Sequence, residues 1–227
     1  MFNVTDAWKV TYPEAHAGIL VMQAANNPAT HPELERLKRG LESQLRVQFA
    51  GRDRKALETF TTIPAYTTYY KPFKKTYHVQ AQLESIVFKG KSIPSVAALV
   101  EAMFMAEIKN LLLTAGHDFD LLQLPLTLGV ARGSERYTLL RGEEQTLKAG
   151  DMLMADQAGV ISSIIYGPDQ RTQISAETRN VLFAVYAPAG IEATIVQAHL
   201  QDIRNYVLIV SPDATVQTLQ VFGARSS

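Results

Sequence analysis

The sequence predicts an α+β fold: a mixed or antiparallel sheet with helices packed on it. Helical periodicity dominates the first half of the chain, and short β-like runs separated by turn residues follow it. Strands and helices do not alternate in the way that builds parallel βαβ sheets. With 227 residues and 47% hydrophobic residues, the chain can bury a substantial core. No repeat or low-complexity linker divides it, so one domain spanning residues 1–227 is expected.

The elements follow in order. Gly18–Ala25 is apolar and ends at Asn26-Asn27-Pro28, the pattern of a strand before a turn. Thr30 and Glu33 have capping-box spacing. Leu34, Leu37, Leu41, Leu45 and Phe49 then recur at helical spacing up to Gly51. A short helix is expected over Arg54–Phe60. Thr61–Tyr77 holds Pro64, Pro72, four tyrosines, Phe73 and three lysines, and is read as an irregular aromatic-basic loop. Two uses are open for it. Its rings can stack on bases while its lysines meet phosphates, or the rings can plug the core. Val79–Phe88 and Pro94–Lys109 are read as helices, the second burying Val96, Leu99, Val100, Met103 and Phe104. Strands are expected at Leu126–Arg132, Arg136–Leu140, Asp151–Ala155, Val160–Tyr166 and Asn180–Tyr186. A last helix, Ile191–Val207, places Ile195, Ala198, Ile203 and Val207 inward.

Composition excludes several chemistries. There is no cysteine, hence no disulfide, thiolate metal site or cysteine nucleophile. The formal net charge is zero, which argues against a polybasic binder. The charge is nonetheless uneven. His31–Lys91 carries 12 Lys/Arg against 6 Asp/Glu, leaving 10 against 16 elsewhere. The basic stretch either faces a polyanion or is ordinary solvated charge. No signal-peptide pattern or membrane-length apolar run is visible, so a cytoplasmic protein with no membrane partner is expected. The motifs GxGxxG, GxxxxGK[ST], GxSxG and HExxH are absent, and the five histidines are scattered. Neither a metal nor a cofactor is expected.

Two segments carry candidate chemistry. Thr114–Asp120 sets His117 beside Asp118 and Asp120 at a glycine. The imidazole can hold a water or an ester oxygen, with a carboxylate to orient it; alternatively the segment is a turn with an Asx hydrogen bond. The second segment is Tyr166-Gly167-Pro168-Asp169-Gln170-Arg171-Thr172, with Thr178 beyond it. Gly167 permits close backbone approach and exposed amides that can bind an oxyanion. Asp169, Arg171 and Thr172 add polar groups. The plainer reading is a hairpin with a surface Asp–Arg pair.

Ala98-Leu99-Val100-Glu101, His117-Asp118-Phe119-Asp120-Leu121, Leu139–Gly142, Asp151–Asp156, Ile164–Gly167 and Glu177–Thr178 occur in this order. The succession resembles the editing domain of phenylalanyl-tRNA synthetase beta chains, over roughly Tyr69 to Ile191. The resemblance implies a freestanding editing-like domain that hydrolyses the ester between an amino acid and the tRNA 3′ end, without a metal. Freestanding relatives are associated with tRNA carrying non-protein amino acids, arginine analogues among them. The family's pocket histidine falls on His117 and its glycine-rich loop on Ile165–Pro168. Its glutamate that reads a tyrosine hydroxyl falls on Ala184, and its Asn in a TNY segment has no clean counterpart near Met103–Glu107.

An aminoacyl ester is reactive enough that a positioned water and a stabilised oxyanion suffice. On this reading His117 and Gly167 are catalytic. Asp118, Asp120, Tyr166, Asp169, Arg171, Thr172 and Thr178 bind the substrate, the acids facing its ammonium group. Lys71, Lys74, Lys75, Tyr69 and Tyr70 contact tRNA. The competing class is a non-catalytic module that holds tRNA or an amino acid.

Overall fold

Strand β2 (His16–Gln23) is buried on both faces, as a continuous apolar run in a central strand must be. It pairs antiparallel with β10 (Val181–Ala187) on one side and β11 (Thr215–Gly223) on the other. β10 in turn pairs with β3 (Thr114–Asp118), giving the order β11-β2-β10-β3. These relations come from a computed structural model that describes residues Phe2–Ala224.

A second, mixed sheet has five strands: β1 (Phe2–Val4), β4 (Leu126–Val130), β7 (Met152–Asp156), β8 (Gly159–Ser163) and β9 (Gly167–Pro168), in that order. Only the β1–β4 pair is parallel. β5 (Arg136–Thr138) and β6 (Glu144–Thr146) form a separate hairpin. The α+β expectation holds, with an antiparallel sheet and a mixed one.

Strand alternation sends β2 and β3 side chains to two environments. Gly18 and Gly116 face helices: a Cβ on Gly18 would stand 2.6 Å from Val196 Cγ1, and one on Gly116 3.2 Å from Met103 Sδ. Val196 belongs to α6 (Ala193–Val210) and Met103 to α5 (Ala98–Asn110). The opposite face carries His117, Leu182, Ala184 and Tyr186. It looks toward the five-stranded sheet, where Tyr186 meets the Ser162 hydroxyl.

Helix α2 (Pro32–Gln48) buries Leu34, Leu41 and Leu45, each contributing about 1.5–3 kcal/mol. The Thr30–Glu33 capping box does not form. His31 is the N-cap, without a side-chain cap bond, and Glu33 pairs with Arg36 at 2.6 Å instead. Arg54–Thr59 is a 3₁₀ turn.

Other expectations are corrected. Thr61–Tyr77 is not an irregular loop: α3 (Thr62–Tyr70) occupies its first part and a 3₁₀ turn, Lys71–Phe73, follows. Pro64 sits in the first turn of α3, where a missing N–H costs nothing. α4 spans His78–Lys89. α5 starts at Ala98, not Pro94, and leaves Val96 exposed. The inward stripe of α6 is Val196, His199, Leu200, Ile203 and Val207; Ala198 is exposed. β1, α1 (Asp6–Thr11) and β11 were not anticipated. Gly116 lies inside a strand rather than at a turn.

Candidate functional site

His117 is fully buried on β3. Its Nδ1 lies 2.7 Å from Thr172 Oγ1, and the Thr172 hydroxyl donates to Asp169. A hydroxyl has one proton, and here it goes to the carboxylate. The Thr172 oxygen therefore accepts from His117 Nδ1–H, which places the ring's free lone pair on Nε2. Nε2 has no hydrogen-bond partner. Burial, aided by the nearby Arg171 charge, pulls the His117 pKa down to about 3, so the ring is neutral near pH 7. The 3.9 Å approach of Asp169 to Nδ1 is thus no ion pair.

The relay is anchored from outside. Arg171 reaches Asp156 at 2.9 Å and Asp169 at 3.6 Å. Asp156 also accepts from the amides of Gln123, Ala158 and Gly159. Burial raises the Asp169 pKa, opposed by the Thr172 hydrogen bonds and by Arg171. The surface Asp–Arg pair of the plain reading is in fact a buried carboxylate gripped by a half-exposed guanidinium.

The other acids do different work. Asp118 stands on the opposite face of β3 from His117, so it does not orient the imidazole. It accepts from Thr178 at 2.6 Å and from the Asp120 amide at 3.0 Å, pinning the turn after β3. Thr178 is buried in that role. Asp120 is exposed and holds Asn180 at 2.9 Å. Asp118, Asp120 and Asp169 therefore form no common acidic pocket.

The expected nest of exposed amides is also reduced. Ile165 donates to Asp151, Tyr166 to Ser163 Oγ and Asp169 to the Ile161 carbonyl. Pro168 has no N–H. Gly167, at φ +82°, has open space beside its α-carbon, and its carbonyl accepts from Tyr137. Tyr166 is half-buried, with Lys75 Nζ 5.6 Å from its ring centroid.

Tyr69 and Tyr70 are core residues and cannot stack on bases. Tyr69 donates to Asp151 at 2.7 Å, and Tyr70 to the Ile164 carbonyl at 2.9 Å. Tyr66 and Tyr77 stack with centroids 4.1 Å apart. The aromatic half of this segment is a plug. Its lysines, Lys71, Lys74 and Lys75, are exposed along a cleft of about 920 Å³.

Two buried polar centres were missed. Asp151 joins Tyr69 to the Ile165 amide, and burial raises its pKa to about 6. Glu107 accepts from the Thr114 amide at 2.7 Å, and burial raises it to about 8. Thr114 also meets His199 Nε2 at 2.7 Å. No local spacing signals either centre, because the partners are distant in sequence. Among the described residues, no group of three or more His, Asp or Glu side chains is placed to hold a metal ion, and no helix is long and apolar enough to cross a membrane.

Comparison with known proteins adds a family. An 81-residue stretch is 36% identical to the phenylalanine–tRNA ligase beta subunit of Fusobacterium nucleatum subsp. nucleatum, covering 34% of this chain and 10% of that protein. The chain thus spans about a tenth of that relative's length. An N-terminal fragment of the phenylalanyl-tRNA synthetase beta-subunit from Pyrococcus horikoshii superposes with TM-score 0.49 at 13% identity, over 95% of this chain and 50% of that one. The B3/4 domain model matches residues 65–209, from α3 through most of α6, and takes in His117, Gly167, Asp169 and Thr172. On that match, which covers well over half of its length, the chain belongs to the B3/4 domain family.

Proposed function

We propose that this protein is an aminoacyl-tRNA deacylase, acting in trans on the ester that joins an amino acid to the tRNA 3′ end. The single observation that carries the reading is His117: a neutral imidazole, its Nδ1 hydrogen committed to Thr172 and Asp169, with an unpartnered Nε2. Such a nitrogen accepts a proton from water as that water attacks an ester carbonyl. The Nδ1 hydrogen bond stabilises the cation that forms. Gly167 is the position in the adjoining loop where a substrate can approach backbone without meeting a side chain. The whole chain acts as one editing-like unit with tRNA as its partner, in the cytoplasm.

His117 is sealed in the rest state, so the reading requires the Tyr166–Thr172 loop to part before an ester reaches Nε2. Half-exposed Arg171 is the outer clasp of that loop. The acids offer no shared cation pocket, so support for a cationic amino acid does not come from them.

The test is release of labelled amino acid from a panel of mischarged tRNAs, with and without chelator. The expected outcome is hydrolysis of at least one ester at a rate unchanged by chelator. Tight binding of aminoacylated tRNA with no release from any member would favour the non-catalytic module.

A further inference from the structure

Most strand edges of this fold are kept from pairing with a neighbour by means that can be named. β1 has three residues and β9 has two, one of them Pro168. The hairpin strands β5 and β6 have three residues each and carry Arg136 and Glu144. The outer edge of β3 is covered at Asp118, whose amide donates to the Thr172 carbonyl. Short strands, proline, charge and a covering segment are the devices that blunt an open edge. β11 lacks all four. It has nine residues, Thr215–Gly223, with no proline and no charged side chain. It ends the four-stranded sheet, with β2 as its sole strand partner among the described residues. One bulge, at Gln217, interrupts it near its start, and Thr218–Gly223 runs in unbroken register.

The register also fixes the faces of β11. Val216, Leu219 and Val221 oppose Met22, Leu20 and Gly18 of β2, the face on which Gly18 meets Val196 of α6. Val216, an exposed apolar side chain, and Leu219 line a groove of about 640 Å³ with Leu208 and Arg204 of α6. Thr218, Gln220 and Phe222 lie on the other face, where Gln220 is exposed. A strand added to this edge completes the backbone hydrogen bonds of β11 and lays alternate side chains over the groove. The strand has no charge with which to choose a foreign peptide or fix its direction. A second copy of β11 needs none, because a twofold axis sets both direction and register. We infer that β11 pairs antiparallel with β11 of a second copy, about a twofold axis at Gln220, joining the two four-stranded sheets into one continuous sheet.

In this register Leu219 of one copy faces Val221 of the other on the α6 side, and Thr218 faces Phe222 on the opposite side. The two Gln220 side-chain amides, each a donor and an acceptor, meet at the axis. The bulge at Gln217 falls outside the paired stretch. β11 and β3 are opposite edges of the sheet, so this contact lies across the sheet from His117. It stands whether or not the protein hydrolyses an ester.

The experiment is sedimentation velocity on the full chain, from micromolar to near-millimolar protein. The parent should pass from monomer to dimer as concentration rises. Gln220→Lys sets two ammonium groups against each other at the axis and should weaken the dimer about tenfold or more. Gln220→Glu alone should do the same. An equimolar mixture of the two variants should recover the parent's affinity, which a folding defect would not allow. The chain has no cysteine, so Gln220→Cys supplies a single reporter. Mild oxidation should convert that variant to a covalent dimer. Thr215→Cys, exposed on the same strand but away from the axis, should stay uncrosslinked. A parent that remains monomeric throughout would overturn the inference and leave the edge to a strand from another protein. A dimer neither weakened by Gln220→Lys nor trapped by Gln220→Cys would place the interface elsewhere and overturn it as well.

Discussion

The Thr172 hydroxyl oxygen lies 2.7 Å from His117 Nδ1 and passes its own hydrogen to Asp169. Fifty-five residues separate the histidine from the threonine in the chain. The contact exists because β3 and the segment after β9 run side by side: the Asp118 amide donates to the Thr172 carbonyl at 2.8 Å. The orientation of one ring is thereby set by a loop whose far end is clasped by Arg171.

His117→Ala is expected to lower deacylation turnover by roughly 100-fold or more. Thr172→Val keeps the shape of the side chain but frees the tautomer. It should lower kcat about tenfold with little change in KM. Single-turnover release of amino acid measures both. A folded Thr172→Val protein with unaltered kcat would remove the relay from the mechanism.

The pH dependence of that rate is distinctive. Burial first, then Arg171, holds His117 at about 3, so its basic form persists through the mildly acidic range. The acid limb of kcat/KM, which reports the free enzyme with its loop closed, should fall near pH 3 rather than near 6.5, the ordinary value. Rates between pH 4.5 and 7.5 test this. An inflection near 6.5 would show that the working state exposes the ring to water.

Glu107 links stability to pH in the opposite sense. Burial raises its pKa from 4.5 to about 8, so the native state holds a proton that the unfolded state releases. Stability that is complete below about pH 4.5 is lost as pH rises through 8. Glu107→Gln keeps an acceptor for the Thr114 amide and cannot ionise. Urea unfolding at pH 5, 7 and 9 should show a decline in the parent that the variant lacks. Parallel declines would mean that another group titrates.

Lys38 and Glu101 form a buried pair at 3.1 Å, and Glu101 also accepts from the Val96 amide. Lys38 also meets Glu35 at 2.6 Å, whereas Glu101 has no second cation among the described residues, so it is removal of Lys38 that strands a buried charge. Lys38→Met should cost about 3–5 kcal/mol by denaturant unfolding. Lys38→Met combined with Glu101→Leu should recover most of that loss. A single-variant cost below about 1 kcal/mol would show that water reaches the site.

The outline of this protein was legible locally. The leucines of α2 repeat at helical spacing, and the strands of the second half are bounded by turn residues, so periodicity alone marked them. His117, Gly167, Asp169 and Thr172 also stood out, because a histidine among acids and a Gly-Pro break are visible in a short window. Their roles were not visible there. Asp169 and Thr172, expected to bind substrate, instead complete a relay to His117, and Asp118 belongs to a turn on the other face of β3. Tyr69 and Tyr70, expected at the surface, are buried because their hydroxyls find Asp151 and the Ile164 carbonyl on distant elements. Composition and spacing determined which groups were present and which helices and strands could form. Only the tertiary structure decided which face each side chain occupies and which partner it meets. One residue of strand register reverses a side chain, and hydrogen bonds between segments far apart in sequence leave no trace in local pattern.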